Sequence, residues 1–166
     1  DLTMCTHLKL LSETPAPSRL VVSEGYAIKI KEAEKVKVAP FPTIATLKQW
    51  KIDVFTSALA ASGRIDTMVI EWLRRSEDPD VTFDQLGTVP VELVTLDQKI
   101  SHALFSICKG EFERTVALRH EERMQRENRP ISGPQMLRLI LEHFRTTQSL
   151  TTYNTVMDLG RVPWKG

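Results

Sequence analysis

Thr95-Leu-Asp-Gln-Lys-Ile-Ser-His-Ala-Leu-Phe-Ser-Ile-Cys108 and, after a charged middle, Gly133-Pro-Gln-Met-Leu-Arg-Leu-Ile-Leu-Glu-His-Phe144 are the residues on which the fold turns. In the first part Leu96, Ile100, Ala103, Leu104, Ile107 and Cys108 recur at helical spacing and make one apolar face. Thr95 with Gln98 has the spacing of a capping box, and Asp97 suits the positive end of a helix. In the second part Met136, Leu137, Ile140, Leu141 and Phe144 form a similar stripe. Ser132 with Gln135 repeats the capping-box spacing, and Pro134 fits only a first turn. Two such stripes need partner surfaces, so the sequence predicts a mainly α, compact helical domain.

The flanking sequence supplies those partners. Leu47, Trp50, Val54, Ala58 and Ala61 keep a helical period, with Gly63 placed to end it. Asp66 is placed to cap a shorter helix carrying Val69, Trp72 and Leu73, which Ser76-Glu-Asp-Pro79 terminates. Thr82-Phe-Asp-Gln-Leu86 reads as one capped turn. Beyond the second stripe, Thr151 or Thr152 is placed to start a final short helix with Tyr153, Val156 and Met157, ending near Gly160. Upstream, Pro40-Phe-Pro42 breaks the chain. Residues 1–39 read as an N-terminal arm in which Leu20-Val-Val and Tyr26-Ala-Ile-Lys-Ile30 flank Ser23-Glu-Gly25 as a short β-hairpin. The expectation is an arm over 1–39 and about five helices over 40–166. Trp50, Trp72, Leu104, Ile107, Ile140 and Phe144 are its expected core.

A chain of 166 residues suits one domain with an arm. A net charge of +1 is too small for a surface built mainly to grip nucleic acid, although it leaves room for a local basic patch. No run of eighteen apolar residues suggests a membrane span. Asp1 is not an initiator methionine and no signal-peptide pattern leads the chain, so the N-terminus reads as a fragment or cleavage edge. The two cysteines, Cys5 and Cys108, are far apart, and Cys108 falls on the apolar helical face as a reduced core thiol. That setting favours an intracellular, cytoplasmic protein.

Chemistry finds little to hold. His7, His102, His120 and His143 lack the close spacing of a metal site, and Glu142-His143 lacks a second histidine. Cys108 has no adjacent base, and the scattered glycines form no phosphate loop. No catalytic residue, metal, cofactor or small-molecule substrate is therefore expected. Arg114, Arg119, Arg123, Arg126 and Arg129 are candidate contacts for RNA or a partner's carboxylates. Interleaved glutamates give the alternative, an exposed helix face laced with opposite charges. Tyr26, Ile28 and Ile30 of the arm and Trp164 of the tail are candidate contacts between subunits.

One succession of short motifs carries more than any of its members. Glu32-Ala-Glu-Lys-Val-Lys-Val-Ala-Pro-Phe-Pro-Thr43, Trp50, Ala61-Ser-Gly-Arg64 and Glu71-Trp-Leu73 are followed by Thr82-Phe-Asp-Gln-Leu86, Leu96-Asp-Gln-Lys99, Gly110-Glu-Phe-Glu-Arg114, Gln135-Met-Leu137, Phe144-Arg-Thr146 and Asp158-Leu159. Over roughly residues 31–166 this order resembles the Gag-like region of copia-type LTR retrotransposon polyproteins of the dinoflagellate kind. The resemblance implies a helical capsid domain that self-associates into a particle enclosing RNA and has no active site of its own. Similar sequences carry a basic residue where this chain has Pro134, and no zinc knuckle is present. The pattern reads as unfinished after Gly166, as in a fragment or processed piece. A domesticated, Gag-derived host adaptor or RNA-binding module is the alternative, and an enzyme would need His102 or His143 to converge with Cys108 or a carboxylate.

Overall fold

The computed structural model describes residues 31–160, with side chains through residue 152. The chain is mainly helical, with no strand among the described residues. Its helices are α1 (Leu47–Ser62), α2 (Met68–Arg74), α3 (Phe83–Leu86), α4 (Val94–Ile107), α5 (Gly110–Glu127) and α6 (Gly133–Gly160), with 3-10 turns at Arg75–Glu77 and Val91–Leu93. The hairpin expected over 19–30, with Tyr26, Ile28 and Ile30, lies outside the described residues, as does Trp164.

The first half of α6 is the centre of the body. It packs on α2, α3, α4 and the Arg75–Glu77 turn, and every residue from Ile131 to Arg138 is buried. Leu137 and Ile140 meet a core in which Val69, Leu73, Leu96, Ile100 and Leu104 are fully enclosed. Trp50, Trp72, Leu104, Ile140 and Phe144 are core as expected, and Ile107 packs partly buried at its edge. Gly133 lets this helix approach α4, because a Cβ there would sit 3.0 Å from Ile100 Cγ2.

Local signals explain several ends. Gly63 closes α1 with φ 64°, and a Cβ there would come within 2.6 Å of the Lys31 carbonyl. Thr82 and Gln85 form the reciprocal capping box of α3, with bonds of 3.3 and 2.9 Å. Ser132 and Gln135 do the same at α6, at 3.1 and 3.3 Å. Asp66 acts one place early: Thr67 is the cap residue of α2, and Asp66 accepts the Met68 N–H at 3.3 Å.

Two expectations are corrected. Thr95 is not a cap, because the Val91–Leu93 turn starts α4 at Val94; its hydroxyl donates to Glu32 at 2.8 Å. The charged middle is an 18-residue helix, α5, in keeping with the reading of it as a helix face laced with opposite charges. No new helix starts at Thr151 or Thr152, since α6 runs unbroken for 28 residues. Between His143 and Thr152 there is no glycine or proline to stop it. The hydroxyls of Thr146, Thr147, Ser149, Thr151 and Thr152 bond the carbonyls four residues back, so they serve a helix interior.

Residues 32–39, read with the arm, lie on the helices. Ala33 N–H donates to Ala61 O at 2.7 Å, Val36 is buried, and Trp50 Nε1 donates to Ala39 O at 3.2 Å. Glu32 pairs with Lys99 at 2.5 Å. Next in the chain, Phe41 stacks on Phe144 with centroids 5.5 Å apart and meets Phe112 at the same distance. This aromatic cluster joins α5 to the point where α6 leaves the body.

Candidate interaction surface

On α5 the positions Phe112, Val116, His120 and Arg123 follow one helical face, with Val116 fully buried and Phe112 and His120 half-buried. Asn128, at φ 55°, ends the helix in the left-handed region and donates to Met124 O at 3.0 Å. Of the five candidate arginines, four stand exposed. Three of these face acids of their own chain: Arg114 with Glu111 at 3.6 Å, Arg119 with Glu122 at 3.3 Å, and Arg126 with Asp84 at 3.0 Å and Glu127 at 2.7 Å. Arg129 has no ion pair among the described residues. Arg119 and Arg126 share a cleft of about 330 Å³ with Asp84, Glu122 and Glu142, where a phosphate would meet carboxylates as well as guanidinium groups.

Arg123 is a correction to the exposed-face reading, because it is only 6% exposed. Its guanidinium donates to Gln135 Oε1 and to Gly87 O and pairs with Glu127 at 3.2 Å. A Cβ at Gly87 would lie 2.1 Å from Arg123 Nη2, so a side chain there would displace the guanidinium. Ser132 Oγ donates to Leu86 O at 2.9 Å, and Gln135 Nε2 donates to Phe83 O at 2.7 Å. Beside this network Asp97 accepts the Gly133 N–H at 2.6 Å, so its carboxyl serves the N-terminus of α6 from the neighbouring helix. Burial pushes the Asp97 carboxyl up to about 6, against the Gly133 N–H and the Arg123 charge, which pull it down. Arg123, Gln135 and Asp97 thus lock α3, α4, α5 and α6 together.

Arg138, absent from the sequence-level candidates, is a second buried guanidinium. It donates to the carbonyls of Ser76 and Asp78 at 2.5 Å, of Val81 at 3.2 Å and of Arg75 at 3.4 Å. A cation is thereby held against the carbonyl end of the Arg75–Glu77 turn. Its position between Leu137 and Ile140 is the one sequence sign of its burial.

The Cys108 thiol donates to Leu104 O at 3.3 Å, and burial pushes it up to about 11, away from thiolate chemistry. His102 and His120 line a cleft of about 480 Å³ between α4 and α5 with Glu121, Phe105, Ala117 and Pro130. His143 lies against Phe112, with centroids 4.5 Å apart. Among the described residues no three of His, Cys, Asp and Glu converge as a metal site. No described helix is long and apolar enough to cross a membrane.

Beyond Phe144 the described side chains of α6 turn to solvent. Every residue from Arg145 to Thr152 is exposed, including Leu150 at 58%, and the backbone stays helical to Gly160. Comparison with protein-family models, with curated proteins and with solved structures finds no match.

Proposed function

We propose that the chain is a structural, self-assembling capsid subunit of the Gag-like kind, whose copies enclose RNA inside the cell and which has no catalytic role of its own. The observation that carries this reading is the second half of α6. A helix whose residues 146–152 are exposed and uncharged suits contact with further protein better than contact with phosphate. The motif order over 31–159 supports it, and so does the pairing of α5 arginines with their own acids, which leaves little basic excess to act alone. Repeated contacts between identical chains close into rings or shells when the rotation between neighbours allows.

The test is the mass of the native chain by light scattering, with and without nuclease, followed by electron microscopy. Large regular particles are expected, and their loss on nuclease treatment would show that RNA helps hold them. A stable monomer or dimer under all conditions would overturn the particle. A second reading, an adaptor or RNA-binding module, is favoured by Arg129 and by the Arg114 and Arg119 pairs, exposed enough to exchange for phosphates. Strongly salt-dependent RNA binding by the unassembled chain would select it.

A further inference from the structure

Residues 33–39 are tied to the helices at both ends and free between them. Ala33 N–H donates to Ala61 O, Ala33 O accepts from Lys99 Nζ at 2.9 Å, and Ala39 O accepts from Trp50 Nε1. From Glu34 to Val38 no backbone N–H or C=O is hydrogen-bonded among the described residues. Side chains alternate over the same stretch: Val36 is buried and Val38 half-buried against the core, whereas Lys35 and Lys37 are exposed. A two-residue period is that of an extended strand. Pro40, which has no N–H to offer, ends it. The segment lacks only a pairing partner to be a strand. Its row of unpaired donors and acceptors is a template on which another extended chain pairs.

A groove of about 940 Å³ runs beside this segment. Inward Val36 and Val38 and outward Lys35 and Lys37 all line it, so the segment borders the groove by its edge rather than by one face. The other wall is a face of α4, where Thr95, Lys99, His102 and Ser106 recur at helical spacing. Of the charged groups along the groove, Glu32 is spent on Lys99. Lys35 and Lys37, neither in an ion pair among the described residues, then outweigh Glu34. Free backbone on one side, a helix on the other and a net positive charge suit an extended peptide that adds itself as a strand. Residues opposite one another in paired strands share a face. Carboxylates at alternate positions of such a peptide would therefore meet Lys35 and Lys37, and apolar side chains between them would lie beside Val36 and Val38. We infer that the groove between Lys35–Val38 and α4 is a docking site for an extended acidic peptide of a partner protein, bound backbone to backbone. The inference involves neither the particle nor RNA, and it stands or falls apart from the capsid reading.

The test is fluorescence polarisation of the full chain with two short synthetic peptides, one alternating glutamate with valine and the other lysine with valine. The glutamate peptide should bind about tenfold more tightly than the lysine peptide at low salt. Lys35→Glu with Lys37→Glu should reverse that order. Circular dichroism melts should stay unchanged, because both side chains are exposed. N-methylating every second residue of the glutamate peptide removes the donors of one of its edges. One of the two alternate sets should abolish binding, and amide exchange over Lys35–Val38 should slow when the unmodified peptide is bound. No binding, or equal binding of the two peptides, would overturn the site. So would a charge-reversed variant that keeps the original preference. Binding that survives both N-methylated sets would also overturn it, since charge attraction would then act without strand pairing.

Discussion

The two halves of α6 share one axis and differ in almost everything else. From Gly133 to Phe144 the helix is fixed by burial: Leu137 and Ile140 are enclosed, Arg138 and Gln135 bind carbonyls of other elements, and Asp97 holds its first N–H. Beyond Arg145 the hydroxyls of Thr147, Ser149 and Thr152 bond carbonyls of the helix's own backbone four residues back. The comparison teaches that helicity here has two sources. The first half is stabilised by tertiary packing, and the second extends from it as a helix whose side chains are exposed over 145–152.

Leu137→Ala should cost about 2–5 kcal/mol, because it opens a cavity where α6 meets the core. Leu150→Ala should change the monomer's stability by less than about 0.5 kcal/mol. Chemical denaturation of both variants measures the gap, and equal losses would break the comparison. Arg123→Ala, at the buried junction, should cost about 3 kcal/mol by leaving Gln135 and the Gly87 carbonyl without their partner. By contrast Arg114→Ala, in an exposed pair, should stay within about 0.5 kcal/mol.

Asp97 sharpens the same contrast through pH. Its folded value, about 6, lies above the ordinary 3.8, so the fold disfavours the ionised form. The contribution is therefore fully present below about pH 4 and is lost as pH rises through 6. Asp97→Asn keeps an acceptor for Gly133 without the charge. It should match the wild type near pH 4 and exceed it by up to about 3 kcal/mol near pH 7. Denaturation curves at the two pH values check this, and a difference that does not change with pH would remove Asp97 from the account.

Features with local causes were legible in the sequence. Gly63, the Thr82 and Ser132 boxes and the two apolar stripes follow from neighbours a few residues away, and the structure reproduces them. Thr95 misled because its partner, Glu32, is remote in sequence, and because the Val91–Leu93 turn carries no strong start signal. Thr151 and Thr152 misled because threonine serves both caps and helix interiors, and only the backbone shows which. Arg123 read as surface because charge normally does, yet it stands seven residues from Val116 and so on the same buried face.

Amide hydrogen exchange along α6, followed as protein concentration rises, tests the central claim most directly. The account predicts protection over 133–144 at every concentration, and protection over 145–160 that appears only as copies associate. Equal protection of both halves in the dilute monomer, or an outer half that stays unprotected after association, would contradict it.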